Sequence, residues 1–125
     1  MIAVDTNVLV YAHRAECAFH PQAFACLKGL AEGPQPWGIP VSCLHEFLAV
    51  VTNGKVFRPP SSQEQAIAQV DAWLAAPSAQ VLHSGAQHWP VLSELARKAH
   101  VQGGQFHDAR IAAICLENGV DELLS

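Results

Sequence analysis

The chain has 125 residues, within the common single-domain range of about 100–150 residues, so one domain spanning 1–125 is expected and a modular protein is excluded. Half of the residues are hydrophobic and 14% are charged, against a usual ~25%; this excludes disorder and leaves a surface short of charge that a subunit or partner chain would cover. A net charge of −4 excludes holding nucleic acid by bulk electrostatics, so any such role needs a local device.

Ile2-Ala3-Val4, Asp5-Thr6-Asn7 and Val8 to Ala12 predict a short buried strand, a polar turn and a helix start. Phe24, Leu27, Leu30 and Ala31 give a second helix over 21–31, closed by Gly33-Pro34. Trp37 to Val41 reads as a second strand. Ser42 then caps a helix from Cys43 to Thr52 that ends at Asn53-Gly54. After a loop, Ser61 to Glu64 has capping-box spacing and opens a helix with Ile67, Val70 and Leu74 on one face, ended by Pro77. Ala79 to His83 is a third strand candidate. Residues 86–99 are helical with Pro90 in the first turn, residues 107–118 form a helix closed by Gly119, and Val120 to Leu124 begins a fourth strand. Strands alternating with helices predict a doubly wound α/β domain with a parallel sheet, in which ligands bind beyond the carboxyl ends of the strands. No apolar run approaches the ~20 residues of a membrane span, and the N-terminus lacks a signal-peptide pattern, so a soluble cytoplasmic protein is expected. Cys17, Cys26, Cys43 and Cys115 show neither a CxxC pair nor zinc-finger spacing, and read as small buried apolar residues.

Three acids stand inside otherwise apolar stretches: Asp5 after the first strand, Glu46 in Leu44-His45-Glu46-Phe47-Leu48, and Asp108 in Phe106-His107-Asp108-Ala109. Two carboxylates about 4 Å apart repel by roughly 4 kcal/mol at an effective dielectric of 20, so a cluster needs a proton, a basic partner or a metal ion. Hard oxygen ligands select Mg²⁺ or Mn²⁺, and such an ion would let an acidic protein hold a phosphodiester. Each acid has a plainer reading: Asp5 as the cap of the next helix with Asn7 completing an Asx turn, Asp108 as a first-turn residue favoured by the helix dipole, and Glu46 on a solvated face. His45 and His107 each precede one of these acids, but adjacent helical residues point about 100° apart, which limits them to a substrate-facing role. Helix faces around Phe57, Trp73 and Trp89 are candidates for a homodimer or partner interface.

Val4-Asp5-Thr6-Asn7-Val8-Leu9-Val10-Tyr11, His45-Glu46-Phe47 and His107-Asp108-Ala109-Arg110-Ile111-Ala112-Ala113, in this order and spacing, resemble the PIN-domain proteins of the VapC toxin type. The resemblance covers essentially the whole chain. It implies a PIN-like, Rossmann-like parallel sheet flanked by helices, and a Mg²⁺- or Mn²⁺-dependent endoribonuclease held inactive by a cognate antitoxin. It further implies Asp5 and Asp108 as direct metal ligands and Glu46 as a ligand acting through water. Thr6 and Asn7 would support the site. Apart from the resemblance, His45, His107 and Arg110, which stand beside or near these acids in the sequence, are the candidates to face the RNA. The family pattern usually has a fourth acid just after the last strand, where this sequence has Leu123-Leu124-Ser125. That departure implies either a truncated C-terminal strand or a degenerate member of the family, and it counts against a two-ion site and against full activity. The alternative is a catalytically weakened PIN domain that binds an antitoxin or another protein. A haloacid-dehalogenase-type phosphotransferase also places an Asp after strand one, but its second Asp is Asn7 here.

Overall fold

The structure is a computed structural model describing residues 1–125. Its elements run β1 (Ile2–Val4), α1 (Thr6–His13), α2 (His20–Glu32), β2 (Trp37–Pro40), α3 (Val41–Val51), α4 (Gln63–Leu74), β3 (Ala79–Leu82), α5 (His88–Ala99), α6 (Gln105–Glu117) and β4 (Glu122–Leu124). The four strands pair in the order β3-β2-β1-β4, all parallel. Ile2 lies opposite both Trp37 and Glu122, and Trp37 opposite Ala79. The strand order therefore reverses at β1, between β1 and β4, where an open parallel sheet leaves a crevice at the strands' carboxyl ends.

The core follows the apolar pattern of the sequence. Leu9, Trp37, Ile39, Phe47 and Val51 are fully buried, and Leu82 and Ile114 nearly so. Trp73, read from the sequence as a candidate interface residue, is instead a core residue at 8% exposure. It meets the ring of Phe47 edge to face at 5.1 Å, the geometry that a ring's negative face and positive edge favour. Cys43 and Cys115 are buried as expected, whereas Cys17 and Cys26 are only half-buried.

Two helix starts differ from the sequence reading, each for a local reason. Helix α3 begins at Val41, directly after β2, with Pro40 at the N-cap position at φ −55°. Ser42 is consequently inside the helix and buried, its hydroxyl without a hydrogen-bond partner. Helix α4 carries a capping box, but it pairs Ser62 with Gln65: Gln65 N–H donates to Ser62 Oγ at 3.1 Å and Ser62 N–H to Gln65 Oε1 at 2.8 Å. Ser61 is unavailable as the cap because it is buried and committed elsewhere, its N–H donating to the Val51 carbonyl and its hydroxyl lying between His13 and Arg14.

Helix α5 packs along α6 and contains no fully buried residue. Its N-terminal end is tied down by Glu117, whose carboxylate accepts from the Gly85 N–H at 3.0 Å and pairs with His88 Nδ1 at 2.7 Å. No helix is long and apolar enough to cross a membrane.

Candidate active site

Asp5 stands where β1 ends and α1 begins, and it serves two purposes. Its Oδ1 accepts from the Thr6 N–H at 2.7 Å, capping α1, while its Oδ2 accepts from the Ser125 hydroxyl at 3.2 Å. Its backbone N–H donates to the Leu124 carbonyl at 2.9 Å, so the last residue of β4 fixes the start of the turn. The cap reading and the site reading of Asp5 are thus compatible: one carboxylate oxygen holds the helix and the other faces the crevice between β1 and β4.

Thr6 joins two of the acids. It is buried, its N–H bonds Asp5, and its hydroxyl donates to Glu46 Oε2 at 3.1 Å across from α3. Asn7 is exposed in the first turn of α1, where its Oδ1 accepts from the Val8 N–H. Asp108 lies exposed in the first turn of α6. Asp5, Glu46 and Asp108 all line one cavity of about 420 Å³, with Thr6 and Asn7 beside them. His45, His107 and Arg110 are exposed and do not line it. The rest of its wall is apolar: Val10, Tyr11, Val50, Val56, Phe57 and Ile111. Phe57 and Val56 belong to the loop between α3 and α4, and no residue spacing in the sequence connects that loop to the acids.

The electrostatics of the cavity are one-sided. No lysine or arginine lines it, and none of the chain's ion pairs involves Asp5, Glu46 or Asp108. The field of Asp5 reaches the thiols behind it. Burial pushes the Cys43 thiol up to about 12; Asp5 adds to the rise against a lowering contact with Thr6. Cys115 is raised by the same two causes, burial first. The three carboxyl groups are not gathered into a ready-made coordination cage, and no three His, Cys, Asp or Glu side chains elsewhere in the chain form one. Like charges without a counter-ion have no reason to close up, and Glu46 and Asp108 are both on exposed, rotatable side chains. The donor set, all hard carboxylate oxygen with a hydroxyl and an amide nearby, fits Mg²⁺ or Mn²⁺ and not a soft metal.

A family model of the PIN domain matches residues 2–125. The chain belongs to the PIN-domain family. Among curated relatives, this PIN domain is 45% identical over 118 residues to ribonuclease VapC43 of Mycobacterium tuberculosis, covering 94% of this chain and 80% of that protein. It is 31% identical over 118 residues to ribonuclease VapC37 of the same organism, covering 94% and 82%. In fold it is similar to the crystal structure of M. tuberculosis VapC20, a sarcin-ricin loop cleaving toxin, at a TM-score of 0.68 and 21% identity over 98% of this chain and 87% of that one. It is similar to the same degree to VapBC2 of Rickettsia felis bound to a promoter DNA fragment, at a TM-score of 0.67 and 20% identity over 98% and 86%.

Proposed function

We propose that this PIN domain is a metal-dependent endoribonuclease toxin of the VapC class, with Asp5, Glu46 and Asp108 as the ligands for Mg²⁺ or Mn²⁺. The observation that carries the reading is the cavity at the strand-order reversal, lined by three carboxylates and no cation. Asp5, Glu46 and Asp108 would hold a divalent ion, and the chemistry it would supply is neutralisation of the phosphodiester and a lowered pKa for an attacking water. The chain's own residues do the positioning. Thr6 orients Asp5 through its N–H and Glu46 through its hydroxyl, so one buried residue sets the relation between β1 and α3.

The names of the relatives, ribonucleases at 45% and 31% identity, support RNA as the substrate. The VapBC neighbour supports an antitoxin as partner. A homodimer is supported by α5 and α6, where Trp89 is 71% exposed and Leu116 61% exposed, apolar surface that a second chain would cover. Action in the cytoplasm, where RNA is available, is part of the same reading.

The test is the Asp5→Asn variant. Asn caps a helix as well as Asp does, so the fold should be retained, while cleavage of single-stranded RNA with Mn²⁺ or Mg²⁺ should fall by about 10²–10³-fold, as when one preorganised electrostatic group is removed. Calorimetric titration with MnCl₂ should show binding to the native chain that the variant lacks. Cleavage that survives chelation by EDTA, or is unchanged in Asp5→Asn, would place the activity elsewhere.

A further inference from the structure

The apolar side of the carboxylate cavity has no use in holding an ion or a phosphate. Val56 is 53% exposed although it is β-branched and apolar, and beside it Phe57 lines the same cavity. The Phe57 ring is held in place. The Arg14 guanidinium lies over one of its faces, 4.5 Å from the ring centroid, and the Arg14 side chain is only 12% exposed. Arg14 is itself locked, Nη2 donating to the Pro59 carbonyl at 2.8 Å and Nη1 to Ser61 Oγ at 3.1 Å, with Glu16 pairing the rest of the fork. Ser61 is in turn fixed by His13 Nε2 at 2.8 Å, and His13 by Gln69 at 3.0 Å. A loop between two helices is thus pinned to the end of α1, and the result is a half-buried aromatic ring, one face backed by a cation, set in the wall of the cavity that the three carboxylates line.

We propose that Phe57, with Val56 beside it, is a stacking shelf for a nucleobase flanking the scissile phosphate, and that Arg14 is the positioning residue that holds the shelf. This inference rests on the ribonuclease reading above. The cavity is acidic, so affinity for a polyanion must come from the ion and from non-ionic contacts; base stacking on an aromatic ring is the contact that this wall offers, and it tolerates any base because every base has a π-face. The occupant is therefore a base of single-stranded RNA, reached only when the strand is unpaired.

The probe is a single-stranded RNA oligonucleotide carrying 2-aminopurine at one position, with the position scanned along the strand, titrated with the full chain in MnCl₂. On the native chain, one position should show quenching of 2-aminopurine fluorescence on binding. Phe57→Leu keeps apolar bulk under Arg14 but cannot stack; it should bind about tenfold more weakly, within the range of losing one base stack, and lose the quenching. Phe57→Tyr should keep both. Arg14→Lys keeps the charge but not the planar fork, and should weaken the quenching while circular dichroism shows the fold unchanged. In cleavage assays Phe57→Leu should raise KM and leave the Mn²⁺ dependence intact. Unchanged affinity and quenching in Phe57→Leu would overturn the proposal and leave the wall to a protein partner. Failure of the native chain to bind or cleave any RNA with Mn²⁺ present would overturn the ribonuclease reading itself, and this one with it.

Discussion

Gly38→Ala is a sharp test of how the sheet is packed beneath the site. Gly38 sits on β2, paired with Ala3 of β1 and Gln80 of β3, and β2 runs directly into the helix that carries Glu46. A Cβ at this position would lie 2.6 Å from both Cγ and Cδ2 of Leu82 and 2.9 Å from its Cδ1, where ordinary carbon contacts are about 3.5–4.0 Å. Leu82 is 1% exposed, so the side chain cannot swing into solvent, and about an ångström of displacement must be absorbed by a close-packed core. Overpacking of that kind costs about 1–3 kcal/mol. For a chain of this length that lowers Tm by about 3–15 °C. Urea and thermal unfolding followed by circular dichroism would measure it. The double variant Gly38→Ala with Leu82→Ala should be more stable than the sum of the two single changes predicts, because the new methyl enters the space that Leu82 vacates. A Gly38→Ala protein within about 0.5 kcal/mol of native stability, or strict additivity in the double variant, would refute the reasoning.

The other outcomes follow from particular side chains. Burial raises the pKa of Glu117, but the bonds from His88 and the Gly85 N–H outweigh it and hold the carboxyl below its ordinary 4.5. A depressed folded-state pKa means that its stabilisation is complete above about pH 4.5 and is lost as pH falls through the folded value, so the stability gap between native chain and Glu117→Gln should shrink below that pH in urea titrations. With its thiol near 12 and no exposure, Cys43 should resist iodoacetamide at pH 8 in the folded chain and react in urea, as peptide mass spectrometry would show. Trp73→Ala should cost about 3–5 kcal/mol through the cavity left against Phe47, whereas Trp89→Ala, at 71% exposure, should leave monomer stability within about 0.5 kcal/mol. If Trp89 lies in a dimer interface, its replacement should instead lower the association constant in sedimentation equilibrium.

The sequence by itself determined the order of the elements and the class of the fold, because apolar runs, proline and glycine punctuation and helical spacing are local signals that each segment carries alone. It also determined that three acids stand out, since an acid inside an apolar run is costly wherever the chain goes. Helix starts were less legible: Ser42 and Ser61 both read as caps, but a side chain's partner is chosen by what folds against it, and tertiary packing buried the first and gave the second to His13 and Arg14. Likewise Trp73 and Trp89 look alike as letters, and only packing on Phe47 separates a core ring from an exposed one. That Asp5, Glu46 and Asp108, more than a hundred positions apart at their extremes, share one site was expected from the strand ends they follow and from the family resemblance, and the structure lines one cavity with them; the tertiary structure alone decided that His45, His107 and Arg110 do not line it. It alone brought Phe57 to that cavity. A side chain's neighbours along the chain fix its periodicity, but its neighbours across the sheet depend on strand order, and strand order is a property of the whole packed domain.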